Sequence, residues 1–332
     1  MHISSRKRDI KNKGSEGGTQ MRKRFWLISV LATLLPAMLI GCARPKEQPQ
    51  GKLPKEKAIS VYDHKTGKKL SMPIEEYLQG VVAGEMKPGW PEAAYAAQAI
   101  VARSFTMEFI GRGGTNQMHG TDVCTDETHT QAYNPANITA IIKKAVKSTR
   151  GQVLTYNGKY IKAWFNASCG GTTARAKEGI AYPGAEPPYT VNKECPEAKY
   201  SPPEVKHWTA TYKYGELDSL LQKLGISSVR KLEIAKKSKA GRVETWRISY
   251  GGGSKEIAGQ DLRIYLDPMR LRSNVITNLV NGESSVTIEG RGFGHGVGFC
   301  QWGAYTLAKE GKSASEIALY YFPGTKVEKR WQ

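Results

Sequence analysis

Acidic residues are few in this chain of 332 residues: 30 Asp and Glu stand against 49 Lys and Arg, a net charge of +19. Cysteine is scarcer still, at five. Eight basic residues against two acidic ones precede residue 42, and the remaining excess of +13 is spread thinly. It contains no Lys/Arg-rich run interleaved with aromatics, so nucleic acid is excluded as the partner. The excess suits an anionic polymer or a membrane surface, or simple colloidal solubility. Internal repeats are absent, and so are repeat architectures. Glycine is abundant, yet the stretch "GRGFGHGVGFCQWGA" (Gly290 to Ala304) fits neither G-x-G-x-x-G nor G-K-[ST], so it is no nucleotide loop. The length suffices for one large or two modest domains with a buried core.

The N-terminus reads as an export element. Arg22, Lys23 and Arg24 precede an apolar run from Phe25 to Gly41, after which the chain turns polar and Pro-rich. "LIGC", Leu39 to Cys42, resembles a bacterial lipobox, with Cys42 the lipidated residue; an uncleaved anchor is the other reading, because the run nearly spans a bilayer. Residues 1–41 are thus expected to be a cytoplasmic tail plus signal or anchor. Residues 42–57 form a flexible tether and residues 58–332 an extracytoplasmic body, membrane-tethered on the outer face. Cys124, Cys169, Cys195 and Cys300 remain, an even number that allows three pairings outside the cytosol.

Periodicity predicts a helix in "MPIEEYLQGVVAGEM", broken at Gly84 and "KPGWP", and a buried Ala-rich helix in "PEAAYAAQAIVARSFTMEFIGR" with Pro91 at its start. Asn137 is expected to cap "ITAIIKKAVKSTRG". "VLTYNGKYIKAWFNAS" reads as a hairpin around Asn157-Gly158. "HWTATY", "VRKLEIAKK" and "RVETWRISYGG" read as strands, and the C-terminus as two short helices. Helices and strands do not alternate, so the expected class is α+β, with antiparallel strands around a groove rather than a doubly wound parallel sheet.

Between Gly290 and Gly298 glycine occupies every second position. In an extended strand these would share one face, leaving Arg291, Phe293 and His295 on the other. A face without Cβ atoms admits another backbone, a helix or a flat ring very closely, and tight packing with His295 inside is the alternative use.

"GRGFGHGVGFCQWGAYTLAKEGKSASEIALYYFPGT", with "IEEYLQGVVAGEM" and "AAYAAQAIVARSFT" upstream, resembles the family of stage II sporulation protein D and the amidase enhancers, over roughly Ile59 to Thr325. The resemblance implies a lytic transglycosylase that cuts peptidoglycan glycan strands after an amidase has removed the stem peptides. Its implied partners are that amidase and a membrane scaffold protein during engulfment. Such an enzyme needs one carboxyl group, because the sugar's own 6-hydroxyl closes on the anomeric carbon and the same group serves as acid and then base. The family's catalytic Glu falls on Glu85 in "AGEM", whose apolar neighbours Met86 and Trp90 would raise its proton affinity. Arg103 and Ser104 of "VARSFT" are expected to orient Glu85 or hold a lactyl carboxylate. Lys162, Ser168, His295, Gln301 and Tyr305 lie in matching segments and are expected to line the groove, with Trp302 and Phe293 stacking on sugar.

"HGTDVCTDETHTQAY" places His119, Cys124 and His129 in one loop, donors that suit a structural zinc; the reaction itself requires no cofactor. Some family members carry a further Cys directly after the last His. Here that position is Thr130, so a fourth ligand must come from Cys169 or elsewhere, and a disulfide from Cys124 to Cys169 or Cys195 competes. The alternatives to the enzyme are a non-catalytic, wall-binding amidase activator and a zinc hydrolase.

Overall fold

Twelve residues, Ile74–Glu85, form the first helix of the body because Ile74, Tyr77, Leu78, Val81 and Val82 recur on one face, which is fully buried. The second helix, Glu92–Gly111, is wrapped on all sides. Its Tyr95, Ala99 and Ala102 face the first helix and Ala140–Ser148. Its Ala97, Ile100 and Val101 face Leu154, Phe299, Ile317 and Phe322. Small alanines let those layers approach, and the helix is the axis of the body. The computed structural model describes residues 53–332; residues 1–52, with the expected signal, Cys42 and most of the expected tether, lie outside them. The tether's last five residues are a correction: they pack on the body, with Glu56 accepting the Glu75 N–H at 2.8 Å and Lys57 O the Ile74 N–H at 3.1 Å. Among the described residues no helix is long and apolar enough to cross a membrane.

The strands form small sheets. Ala58–Asp63 pairs antiparallel with Lys68–Pro73 and parallel with Val123–Cys124. Gln152–Tyr156 turns back through Asn157 and Gly158, both at positive φ, into Lys159–Tyr160, as the turn signal predicts. A second core is built by strands Trp208–Lys213, Lys231–Lys237, Val243–Tyr250 and Ser285–Gly290 around Trp246, Tyr212, Leu232 and Ile288. The architecture is α+β, with mostly antiparallel pairing and no doubly wound sheet. Helices Gln301–Lys309 and Ala314–Tyr321 close the body.

Two local expectations are corrected. Thr139, not Asn137, caps Ala140–Ser148, its hydroxyl accepting the Ile142 N–H. The glycine-alternating segment is not a strand beyond Gly290: Gly292, Gly294, Gly296 and Gly298 all have positive φ. Their spacing serves a looped path rather than one bare face. Gly296 lies where a Cβ would strike the Arg242 guanidinium, and Gly292 where it would strike the Gly170 backbone.

Candidate active site

Glu85 ends the first helix, and the next turn of chain, Met86 to Trp90, descends to the second. Gly84 is what lets its carboxylate be reached. The backbone of Ala132 passes so close that a Cβ at Gly84 would sit 2.8 Å from the Ala132 carbonyl. The same passage brings the Ala132 N–H to Glu85 Oε1 at 2.7 Å. Burial pushes the Glu85 carboxyl up to about 7; the Glu127 charge adds to this, while the Ala132 N–H and the Gln301 amide oppose it. No cation pairs with Glu85 among the described residues.

A groove of about 340 Å³ opens on this carboxyl, lined by Lys87, Trp90, Arg272, Phe293, Gln301 and Trp302. Trp90 and Trp302 stand 4.7 Å apart, tilted, and form an apolar flank. Lys87 Nζ lies 5.7 Å from the Trp302 ring centre, and Arg272 lies 5.6 Å from that of Phe293. The groove therefore offers ring faces with a cation beside each. A second carboxylate on its lining, Glu204, is exposed.

The expected residues divide. Gln301 faces Glu85 and reaches the buried Gln98 amide at 3.4 Å. Tyr305 does not line the groove but props its flank, edge-on to Trp90 at 5.1 Å. Ser168 lies one residue beyond the lining Ala167; its backbone exchanges two 2.9 Å hydrogen bonds with Phe293, and its buried hydroxyl has no protein partner. The remaining four are corrections. Arg103 is fully buried and bonds Glu75 through two nitrogens, at 3.0 and 2.7 Å. Ser104 donates to Ile100 O at 2.6 Å and accepts from Leu154 N at 2.7 Å. Both point from the second helix into the core because the groove lies at the opposite end of the first. Lys162 pairs with Glu108, away from the groove lining. His295 turns from the groove toward Arg242 and Arg263: burial and those cations push its imidazole down to about 3, and Nδ1 accepts the Val297 N–H at 3.0 Å. Positive φ at Gly294 and Gly296 is what rotates it off the Phe293 side.

Sequence reasoning missed Lys87 and Arg272. "KPGW" directly after "GEM" is a signal that could have found the first. Arg272 enters from a distant loop, and nothing near it in the chain marks it.

The metal loop assembles as spaced. Donor atoms of His119, Cys124 and His129 lie within 4.8 Å of one another, the two imidazoles 3.3 Å apart, and Tyr62 stacks on His119 at 4.1 Å. One thiol and two imidazoles fit zinc, leaving one position of a tetrahedral ion open. Thr130 does not fill it, since its hydroxyl donates to the Cys124 carbonyl. Cys169 does not either: it gathers with Cys195, Cys300 and Glu197 in a separate cluster. All four cysteines among the described residues are free, so neither disulfide weighed for Cys124 is formed.

Comparison with known proteins agrees with these motifs. A family described as stage II sporulation protein matches residues 62–156, and a domain of unknown function matches residues 197–298. An uncharacterized protein of Brachyspira hyodysenteriae is 32% identical over 76% of this chain, which spans 66% of that protein's length. Stage II sporulation protein D of Bacillus subtilis is 32% identical over 81% of this chain and 78% of its own. The amidase enhancer of Bacillus subtilis is 28% identical over 75% of this chain and 40% of its own. With Glu85 and its helix inside the matched segment, and about four-fifths of each chain aligned to the sporulation protein, the chain belongs to the stage II sporulation protein D family.

Proposed function

We propose that the protein is a lytic transglycosylase that cleaves peptide-free glycan strands of peptidoglycan during engulfment, working beside an amidase and a membrane scaffold. We place it on the outer face of the membrane, tethered through Cys42. One observation carries the reading: a carboxyl group without a cation partner, its proton held to about pH 7, opens into a groove flanked by rings. Such a group donates its proton to the glycosidic oxygen as the bond to the anomeric carbon breaks. The 6-hydroxyl of the same sugar then closes on that carbon, and the Glu85 carboxylate takes the hydroxyl proton. No water is consumed, and Glu85 ends as it began. Trp90, Trp302 and Phe293 hold sugar faces, and Lys87 and Arg272 meet lactyl carboxylates. His119, Cys124 and His129 would hold a zinc ion, which would cross-link the loop that leads to Ala132.

The test is the product. Full-length protein and peptide-free strands should yield fragments ending in 1,6-anhydro-muramic acid by mass spectrometry. Ordinary reducing ends alone would mean hydrolysis, with Glu204 or another base activating water, and would end the cyclisation mechanism. The relative named an amidase enhancer favours a second reading, a non-catalytic activator. That reading gains if no fragments appear while strand binding and amidase stimulation survive Glu85→Gln.

A further inference from the structure

Behind the groove, on the far side of Ala167 and Gln301, three chain segments bring together the thiols of Cys169, Cys195 and Cys300 and the carboxylate of Glu197. All four side chains are buried, and their donor atoms lie within 4.8 Å of one another. We infer that this cluster is a structural site for a thiophilic divalent metal such as zinc, distinct from the histidine loop and independent of the reaction assigned to Glu85.

The donor geometry supports it. A tetrahedral zinc with metal–sulfur bonds of ~2.3 Å sets its ligands ~3.8 Å apart. Here Glu197 Oε2 is 2.8 Å from Cys300 Sγ and 3.5 Å from Cys169 Sγ, close enough that an ion entering among them needs only side-chain adjustment. The carboxylate is already oriented, since Cys169 N–H donates to Oε2 at 2.9 Å and Gly171 N–H to Oε1 at 2.7 Å. Cys300 caps helix Gln301–Lys309, and the N–H groups of Gly303 and Cys169 point at its sulfur, each at 3.4 Å. Gly303 is bare where a Cβ would strike Cys195 Sγ and the Tyr321 hydroxyl, so the glycine keeps the space the cluster occupies.

The charge balance supports it independently. Three thiolates and a carboxylate around a divalent ion leave a charge of −2. Fully buried Arg242 stands against this cluster, donating to the Cys169 and Thr172 carbonyls. It makes no salt bridge among the described residues, and its Nε and Nη1 have no partner. A buried guanidinium without an anion is costly. Glu197 supplies part of that negative charge in any state of the cluster, and an anionic metal–thiolate centre would add to it where neutral thiols or a disulfide would not. Three thiols also cannot all pair with one another. The site would tie Ala167 and Gln301, each within two residues of a ligand, into one wall of the groove.

The experiment uses full-length protein purified without reductant or chelator. Elemental analysis should give about one metal per chain that survives His119→Ala/His129→Ala and is lost in Cys169→Ser/Cys300→Ser. If the cysteine variant does not fold, X-ray absorption of the histidine variant decides, with sulfur-rich coordination at ~2.3 Å expected. A disulfide among Cys169, Cys195 and Cys300 found by alkylation before reduction would overturn the site, as would a histidine variant that binds no metal.

Discussion

The two ends of one helix carry two glutamates with opposite fates. Glu75, in the first turn of Ile74–Glu85, accepts two bonds from Arg103, one from Gly151 N–H at 3.0 Å and one from the Trp331 indole at 2.9 Å. Glu85, in the last turn, has the Ala132 N–H and no cation, and its proton is held to about pH 7. Ten residues of the same helix thus separate a clamp from an acid. The difference lies in what the rest of the chain brings to each end, since the residue type is the same. One carboxylate is surrounded by donors and a guanidinium that hold it in place; the other, given only an N–H and an amide in an apolar setting, keeps its proton available.

The sharpest way to break this contrast is at the acid. Glu85→Gln should lower turnover of peptide-free strands ~10²–10⁴-fold while leaving strand binding intact, read by product formation against sedimentation with the strands. At the clamp the effect should fall on stability. Arg103→Met leaves Glu75 a buried charge without its cation and should cost ~3–5 kcal/mol by denaturant titration. If it instead spared stability and abolished strand binding, Arg103 would be a groove residue after all.

Titration sharpens the comparison further. Activity that needs protonated Glu85 should fall tenfold per pH unit above about 7, the value to which burial raises the group. The stability effect follows the same shift. Below pH 4 both folded and unfolded states hold the proton, and Glu85→Gln should be neutral. Between the unfolded value of 4.5 and about 7 only the unfolded state ionises, so the parent loses stability as pH rises. Above 7, Glu85→Gln should be the more stable protein by up to ~3 kcal/mol, measured by melting at pH 4 and pH 8. The smallest effect is expected at the rim: Arg272→Ala should raise KM ~3–10-fold with kcat nearly unchanged, the signature of a group that holds substrate without touching the breaking bond.

How much of this was legible depended on whether the cause was local. The helices and the Asn157-Gly158 hairpin rest on periodicity and turn chemistry within a dozen residues, and the chain states them openly. "GEM" marked Glu85, and Gly84 proved to be the notch that admits Ala132. Arg103 and Ser104 were misread because a helix shows which residues share a face and not what that face meets. The glycine alternation was misread because period two fits a strand, while the fold uses those glycines for positive φ. The grouping of Cys169, Cys195 and Cys300 with Glu197 could not be read at all, since a loop, a short 3₁₀ turn and a helix cap meet only in the folded chain.

One consequence follows from the strip of backbone laid across Gly84. Among the described residues the one main-chain donor on the acid belongs to a different stretch of polypeptide, Val123 to Tyr133, that begins as an edge strand and includes His129. That donor favours the ionised form. Glu127 of the same stretch opposes it, its charge favouring the proton, so the strength of this acid is set by the balance of two groups carried on one neighbouring loop.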